Sequence, residues 1–209
     1  MRISFLHTIE SNQAVFDAVA LQEGLTATRH AVRADLRQAI VQQSTPSADI
    51  RRQIQDALGA LAMDADAVIV SCAILGPAVD AIQDFPTPVI RADIALADAA
   101  ARGGKDIVVL CAVESTIEAN EALFGRYAAQ TGSRVTVLLV PEAWDLFQRG
   151  QAQACLQACA QAAQDAYEHG ADVVAFAHPW MAPAAQLVSG ERRPMHGAEA
   201  AIRAAGKKN

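Results

Sequence analysis

One stretch of this chain occurs twice, and the copies differ at a single chemically decisive position. Ala65-Asp66-Ala67-Val68-Ile69-Val70-Ser71-Cys72 aligns without a gap on Ala171-Asp172-Val173-Val174-Ala175-Phe176-Ala177-His178. The match runs on to Pro77-Ala78 over Pro183-Ala184. Ile3-Ser4-Phe5-Leu6, followed by Glu10-Ser11, parallels Ile107-Val108-Val109-Leu110, followed by Glu114-Ser115. Gly24-Leu25-Thr26-Ala27-Thr28 parallels Gly132-Ser133-Arg134-Val135-Thr136. A repeat this long means duplicated half-domains, because solenoid units are shorter and more numerous. Cys72 of the first copy falls opposite His178 of the second. A twofold-like enzyme would present such equivalent positions to opposite faces of one substrate.

Short apolar runs alternate with alanine-rich helical patterns. The runs are Ile3–Leu6, Val68–Val70, Ile107–Leu110, Val135–Val140 and Val173–Phe176. Continuous apolar strands of this length suit a parallel sheet covered on both faces. Ile50, Ile54, Leu58 and Leu61 form one stripe at helical spacing, with Pro46 near its start. Gln13–Leu21, Thr116–Ala129 and Ala152–Tyr167 also read as helices, the last stopping at His169-Gly170. Pro86-Thr87-Pro88 leads into an extended segment at Val89-Ile90, and a final helix is expected over Ala198–Ala205. Alternating strand and helix predicts an α/β fold with right-handed crossovers and parallel sheets flanked by helices. Gly103-Gly104-Lys105 separates the copies. The expected domains are therefore 1–103 plus 190–209, and 104–189.

Composition narrows the function classes. The net charge of −6 argues against the basic face that nucleic acid requires, and the basic tail is two lysines, Lys207-Lys208. No apolar run approaches the roughly 20 residues that span a bilayer, and the amino terminus enters a strand pattern directly, without a signal-peptide pattern. The four cysteines include no CxxC pair, so reduced thiols in a cytoplasmic protein are expected. A homo-oligomer is expected on base rates.

Ligands of open parallel sheets bind beyond the carboxyl ends of the strands. Four such ends carry His7, Cys72, Cys111 and His178. Helices follow near Ser11-Asn12 and Ser115-Thr116, whose N–H groups and hydroxyls favour an anion. A small carboxylate is the ligand class this predicts. A metal held by the four strand-end residues would need four separate ends to converge, so none is expected.

The pieces Leu6-His7-Thr8, Val70-Ser71-Cys72-Ala73, Val109-Leu110 with Ser115-Thr116, and Ala177-His178-Pro179-Trp180-Met181 occur in the order and spacing of one family. Over nearly its whole length the chain resembles the aspartate/glutamate racemase superfamily, which includes hydantoin racemases, maleate isomerases and arylmalonate decarboxylases. The resemblance implies two pseudo-symmetric flavodoxin-like lobes, each a parallel sheet flanked by helices, with the active site between them, and chemistry without an organic cofactor or metal. Racemases of this family place a cysteine at each of two equivalent strand ends, one removing and one delivering the proton next to a carboxylate. Cys72 matches the first; at the second this chain has His178 and is in that respect divergent. Where relatives usually have a threonine soon after the second lobe's first strand, it has Ala112.

Three readings of the site stay open. Cys72 and His178 act as opposed acid/base groups in a racemase or isomerase; Cys72 alone protonates an enolate in a decarboxylase-type lyase; or the site binds a small carboxylate without turning it over. Under each, Thr8, Ser11, Asn12, Ser71, Ala73, Ser115 and Thr116 are candidates to hold the ligand. Cys111 reads as core, Cys155 and Cys159 share one helical face, and His30, His169 and His196 read as surface or loop histidines. Arg192 and Arg193 read as solvated loop residues.

Overall fold

Strand β1 (Ile3–His7) is buried along its entire length and pairs in parallel with β2 (Thr28–Val32) on one side and β3 (Ala67–Val70) on the other. In the computed structural model, which describes residues 1–25, 28–43, 46–82 and 85–207, β4 (Val89–Arg91) completes a sheet of order β2-β1-β3-β4. Thr26 and Ala27 of the third repeat match, and Lys208 of the basic tail, lie outside the described residues. A second sheet repeats this order as β6-β5-β7-β8, from Asp106–Cys111 (β5), Arg134–Leu139 (β6), Val173–Phe176 (β7) and Met195–His196 (β8). All of its pairs are parallel. The chain divides into two compact units, Met1–Asp93 with the segment from Ala201, and Ile94–Ala200.

Helices flank each sheet: α1 (Asn12–Gln22), α2 (Ala34–Gln43), α3 (Ala48–Ala62) and the short α4 (Gly76–Asp80) come first in the chain. α5 (Ala92–Gly103), α6 (Ile117–Thr131), α7 (Ala143–Gln148), α8 (Ala152–Glu168) and α9 (Gly197–Gly206) follow. The α3 stripe forms as its spacing predicts. Ile50, Ile54, Leu58 and Leu61 bury against Leu6, Val68 and Val70. Full burial of each such side chain stabilises by roughly 1.5–3 kcal/mol. Ser47 caps α3, its Oγ accepting from Ile50 N. In the second unit Leu96, Ile107, Val109, Phe124 and Val173 form the corresponding core. α6 ends at Gly132, whose φ of 68° is the left-handed conformation a glycine stop uses.

The repeat is visible in individual bonds. Ser71 N donates to Leu6 O at 3.0 Å, and Ala177 N donates to Leu110 O at 2.9 Å. Asp66 accepts from Arg2 N at 2.8 Å, and Asp172 accepts from Lys105 N at 2.8 Å. Each aspartate thereby ties the loop before the third strand of its unit to the start of the first.

Two expectations need correction. The apolar run in β6 is not covered on both faces: its residues alternate between exposed and half-buried, and Leu138 and Leu139 are exposed. β6 is an edge strand, so one side of it meets no neighbour in its sheet. His30 and His196 are not surface or loop residues either. His30 lies in β2 with its side chain largely covered, and His196 is buried in β8.

Candidate active site

In the first unit the ends of β1 and β3 gather a buried polar cluster. His7, Asn12 and Ser71 meet through side chains and Thr8 follows His7 in the chain, all four less than a tenth exposed. His7 is the last residue of β1 and completely buried, stacked near Phe5 and tilted against Phe16 of α1. Its Nδ1 lies 2.8 Å from Ser71 Oγ and its Nε2 lies 2.8 Å from His30 Nδ1. His30 Nε2 lies 2.9 Å from a carboxylate oxygen of Asp17, which is half exposed on α1. Burial, reinforced by the neighbouring His30 and opposed by Asp17, pushes His7 down to about 3, so its ring is neutral near pH 7.

A carboxylate only accepts, so His30 donates to Asp17 from Nε2. In the arrangement with both rings neutral, His30 Nδ1 accepts from His7 Nε2, and His7 Nδ1 accepts from Ser71 Oγ, which also lies 3.4 Å from Leu6 O. Ser71 Oγ keeps lone pairs for Asn12 Nδ2, which approaches to 3.5 Å. Among the described residues, Thr8 Oγ1 and Asn12 Oδ1 are buried without a hydrogen-bond partner. Buried orphan oxygens are costly and mark a place where a ligand has something to satisfy.

Cys72 follows Ser71 in extended backbone (φ −110°, ψ 113°) and begins a short 3₁₀ turn, Ala73–Leu75. The extended chain turns successive side chains to opposite sides. Ser71 joins the His7 cluster, while half-buried Cys72 packs beside Leu6, Leu75 and their neighbours. Ser11 precedes α1 and is exposed, but its side chain makes no capping bond. The first two helical N–H groups of α1 already bond Ile9 O and Glu10 O.

The second unit has an equivalent strand end of different chemistry. His178 has extended backbone (φ −106°, ψ 130°) and begins the 3₁₀ stretch Pro179–Leu187, as Cys72 begins its turn. Its ring lies parallel to that of Trp180, centroids 5.5 Å apart. Trp180 in turn stacks on Phe147 of α7 at 4.3 Å, so the indole serves as core packing beneath the histidine. Cys111, equivalent to His7, is fully buried, and burial pushes its thiol up. Thr116 does not cap α6; its hydroxyl donates to Val113 O at 2.6 Å. Ser115 is exposed in the turn before α6. Arg192 and Arg193 are tied to backbone carbonyls of their own unit, Arg192 to Ala171 O and Arg193 to Gly190 O, each at 2.8 Å.

Among the described residues, no three His, Cys, Asp or Glu side chains are grouped as a metal ion would require. No described helix is long and apolar enough to cross a membrane. The aromatic stack under His178 and the contact of His7 with His30 escape sequence reading, because each joins residues more than one element apart.

No protein-family model and no curated protein sequence matches the chain. Solved structures do. Aspartate racemase from Picrophilus torridus superposes with a TM-score of 0.73 at 10% identity, covering 99% of this chain and 93% of that one. A glutamate racemase isoform from Bacillus anthracis gives 0.66 at 14% identity, covering 99% and 80%. Allantoin racemase from Klebsiella pneumoniae gives 0.65 at 19% identity, covering 99% and 86%. The chain has the two-unit α/β fold of the aspartate, glutamate and allantoin racemases.

Proposed function

We propose that the protein is a cofactor-independent racemase or isomerase acting at the carbon next to the carboxylate of a small acid or amino-acid derivative. The observation that carries this reading is a half-buried Cys72 thiol at the turn after β3, next in the chain to the buried Ser71 of the polar cluster, in a fold shared with racemases. A thiol there has the chemistry to take a proton from a carbon acid, provided that donors meet the developing enolate. Cys72 is the principal acid/base group. His178, at the equivalent turn of the second unit, supplies the second, because an imidazole both gives and accepts protons near neutral pH. Ser71, Asn12 and Thr8 hold the ligand through their side chains, Ala73 through its backbone, and Ser11, Ser115 and Thr116 at the turns before α1 and α6.

The test is turnover in heavy water. Wild-type protein and Cys72→Ala are incubated with a panel of amino acids, hydantoins and malonates. Deuterium at the α-carbon with retained carbon skeleton supports the reading. Carbon dioxide release transfers the thiol to lyase chemistry. Saturable binding of a panel member, with neither exchange nor carbon dioxide release, makes the protein a carboxylate binder.

A further inference from the structure

The chain of contacts from Asp17 to Ser71 has a property that packing alone does not need. Each of its three links is between 2.8 and 2.9 Å, and it runs from a half-exposed carboxylate to a buried hydroxyl. Its two interior members are imidazoles, which carry a donor on one nitrogen and an acceptor on the other. The chain therefore has two complete proton arrangements. In the first, Ser71 donates to His7, His7 to His30 and His30 to Asp17. In the second, every bond is reversed. Neither arrangement leaves a buried nitrogen unpaired.

We propose that Asp17, His30, His7 and Ser71 form a proton-conducting chain between solvent and the strand-end site, with Ser71 Oγ as its inner terminus. The proposal rests on the reading that acid/base chemistry takes place at these strand ends. In the outward step Ser71 Oγ takes a proton from the occupant of the site and passes its own to His7 Nδ1. His7 passes its Nε2 proton to His30 Nδ1, and His30 passes its Nε2 proton to Asp17. The carboxylic acid so formed gives that proton to water. The inward step runs in reverse and returns a solvent proton to the occupant. The proton that enters at Ser71 leaves an O–H or N–H group of the occupant, whose electron pair stays on that atom; within the chain only O–H and N–H bonds form and break, and after both steps every residue holds the protons with which it began. The burial that keeps His7 neutral suits this role, because protons then pass by exchange of tautomers and are not stored as a buried charge.

Three features distinguish such a chain from a packing device. Asp17 has about half of its side chain exposed, so the outer end meets water. The inner end adjoins Asn12 Nδ2 and lies in the cluster that holds the orphaned oxygens of Thr8 and Asn12. The aromatic rings of Phe5 and Phe16 pack on His7, which is fully buried, so its protons reach solvent through its hydrogen-bond partners.

The test is nitrogen-15 NMR of the labelled full-length protein, without substrate. Two-bond nitrogen–proton patterns identify the protonated nitrogen of each ring, and saturation transfer from water measures exchange of the His7 ring proton. The expected result is a His7 proton on Nε2 whose exchange slows at least about tenfold in Asp17→Asn and recovers in Asp17→Glu. A His7 proton resting on Nδ1, or exchange unchanged in Asp17→Asn, overturns the chain. Asp17 is half exposed, so neither substitution disturbs the core. The measurement involves neither substrate nor Cys72. Its failure removes the proton chain alone, whereas equal turnover by wild type and Cys72→Ala removes the reading of the thiol.

Discussion

His7 Nε2 and His30 Nδ1 share a hydrogen bond of 2.8 Å that joins the central strand of the first sheet to its edge strand through side chains. The bond couples the tautomers of the two rings and makes the covered His7 and the exposed Asp17 parts of one system.

This system makes stability depend on pH with a definite sign. His7 falls from an ordinary value of 6.5 in the unfolded chain to about 3 in the folded one. The unfolded state therefore binds the extra proton between those values. The His7 contribution is complete above pH 6.5 and is lost as pH falls towards 3, at up to about 1.4 kcal/mol per pH unit for one proton. Urea unfolding at pH 7, 6, 5 and 4.5 measures the slope. His7→Phe, which keeps a ring between Phe5 and Phe16, flattens it even if absolute stability changes.

The thiols separate by environment. Cys111, Cys155 and Cys159 are buried, burial raises each of them, and Cys159 reaches about 12. Cys72 is the half-exposed one of the four. The thiolate is the reactive form. Iodoacetamide at pH 7.5 is thus expected to modify Cys72 first in the native protein and all four cysteines in guanidinium, as read by peptide mass mapping. First modification at Cys111 contradicts the packing described for β5.

Two glycines test the backbone. A Cβ on Gly104 would lie 2.4 Å from Asp172 Cβ, beside the carboxylate that accepts from Lys105 N and Asp106 N. Gly104→Ala is expected to cost about 1–3 kcal/mol through overpacking. Gly125 stands inside α6 with nothing within 4 Å of its Cβ position. Gly125→Ala is expected to add about 0.5–1 kcal/mol. Thermal or urea unfolding reads both, and a destabilised Gly125→Ala contradicts the open surface seen there.

The two parallel sheets were legible because their inner strands must be apolar throughout. β3 and β7 are short uninterrupted apolar runs, β5 is one after Asp106, β1 is apolar but for Ser4 and His7, and the α3 stripe is periodic. Edge strands lack that requirement. β2 reads Thr-Arg-His-Ala-Val and β8 has only two residues, so neither leaves an apolar run to recognise. The paired positions of Cys72 and His178 were legible from the repeat, and their matching backbone angles show why the alignment needs no gap there. The role of His30 was not. It becomes visible only when β2 sets His30 beside β1 and α1 brings Asp17 over it, and neither pairing leaves a mark on local sequence.

The most direct test of the account is α-proton exchange catalysed by wild type and Cys72→Ala in heavy water, followed by proton NMR over a panel of amino acids and hydantoins. The account predicts that wild type exchanges the α-proton of at least one panel member and that Cys72→Ala loses about 10²–10⁴-fold of that rate, the range a positioned acid/base group supplies. Equal exchange by the two proteins would contradict it.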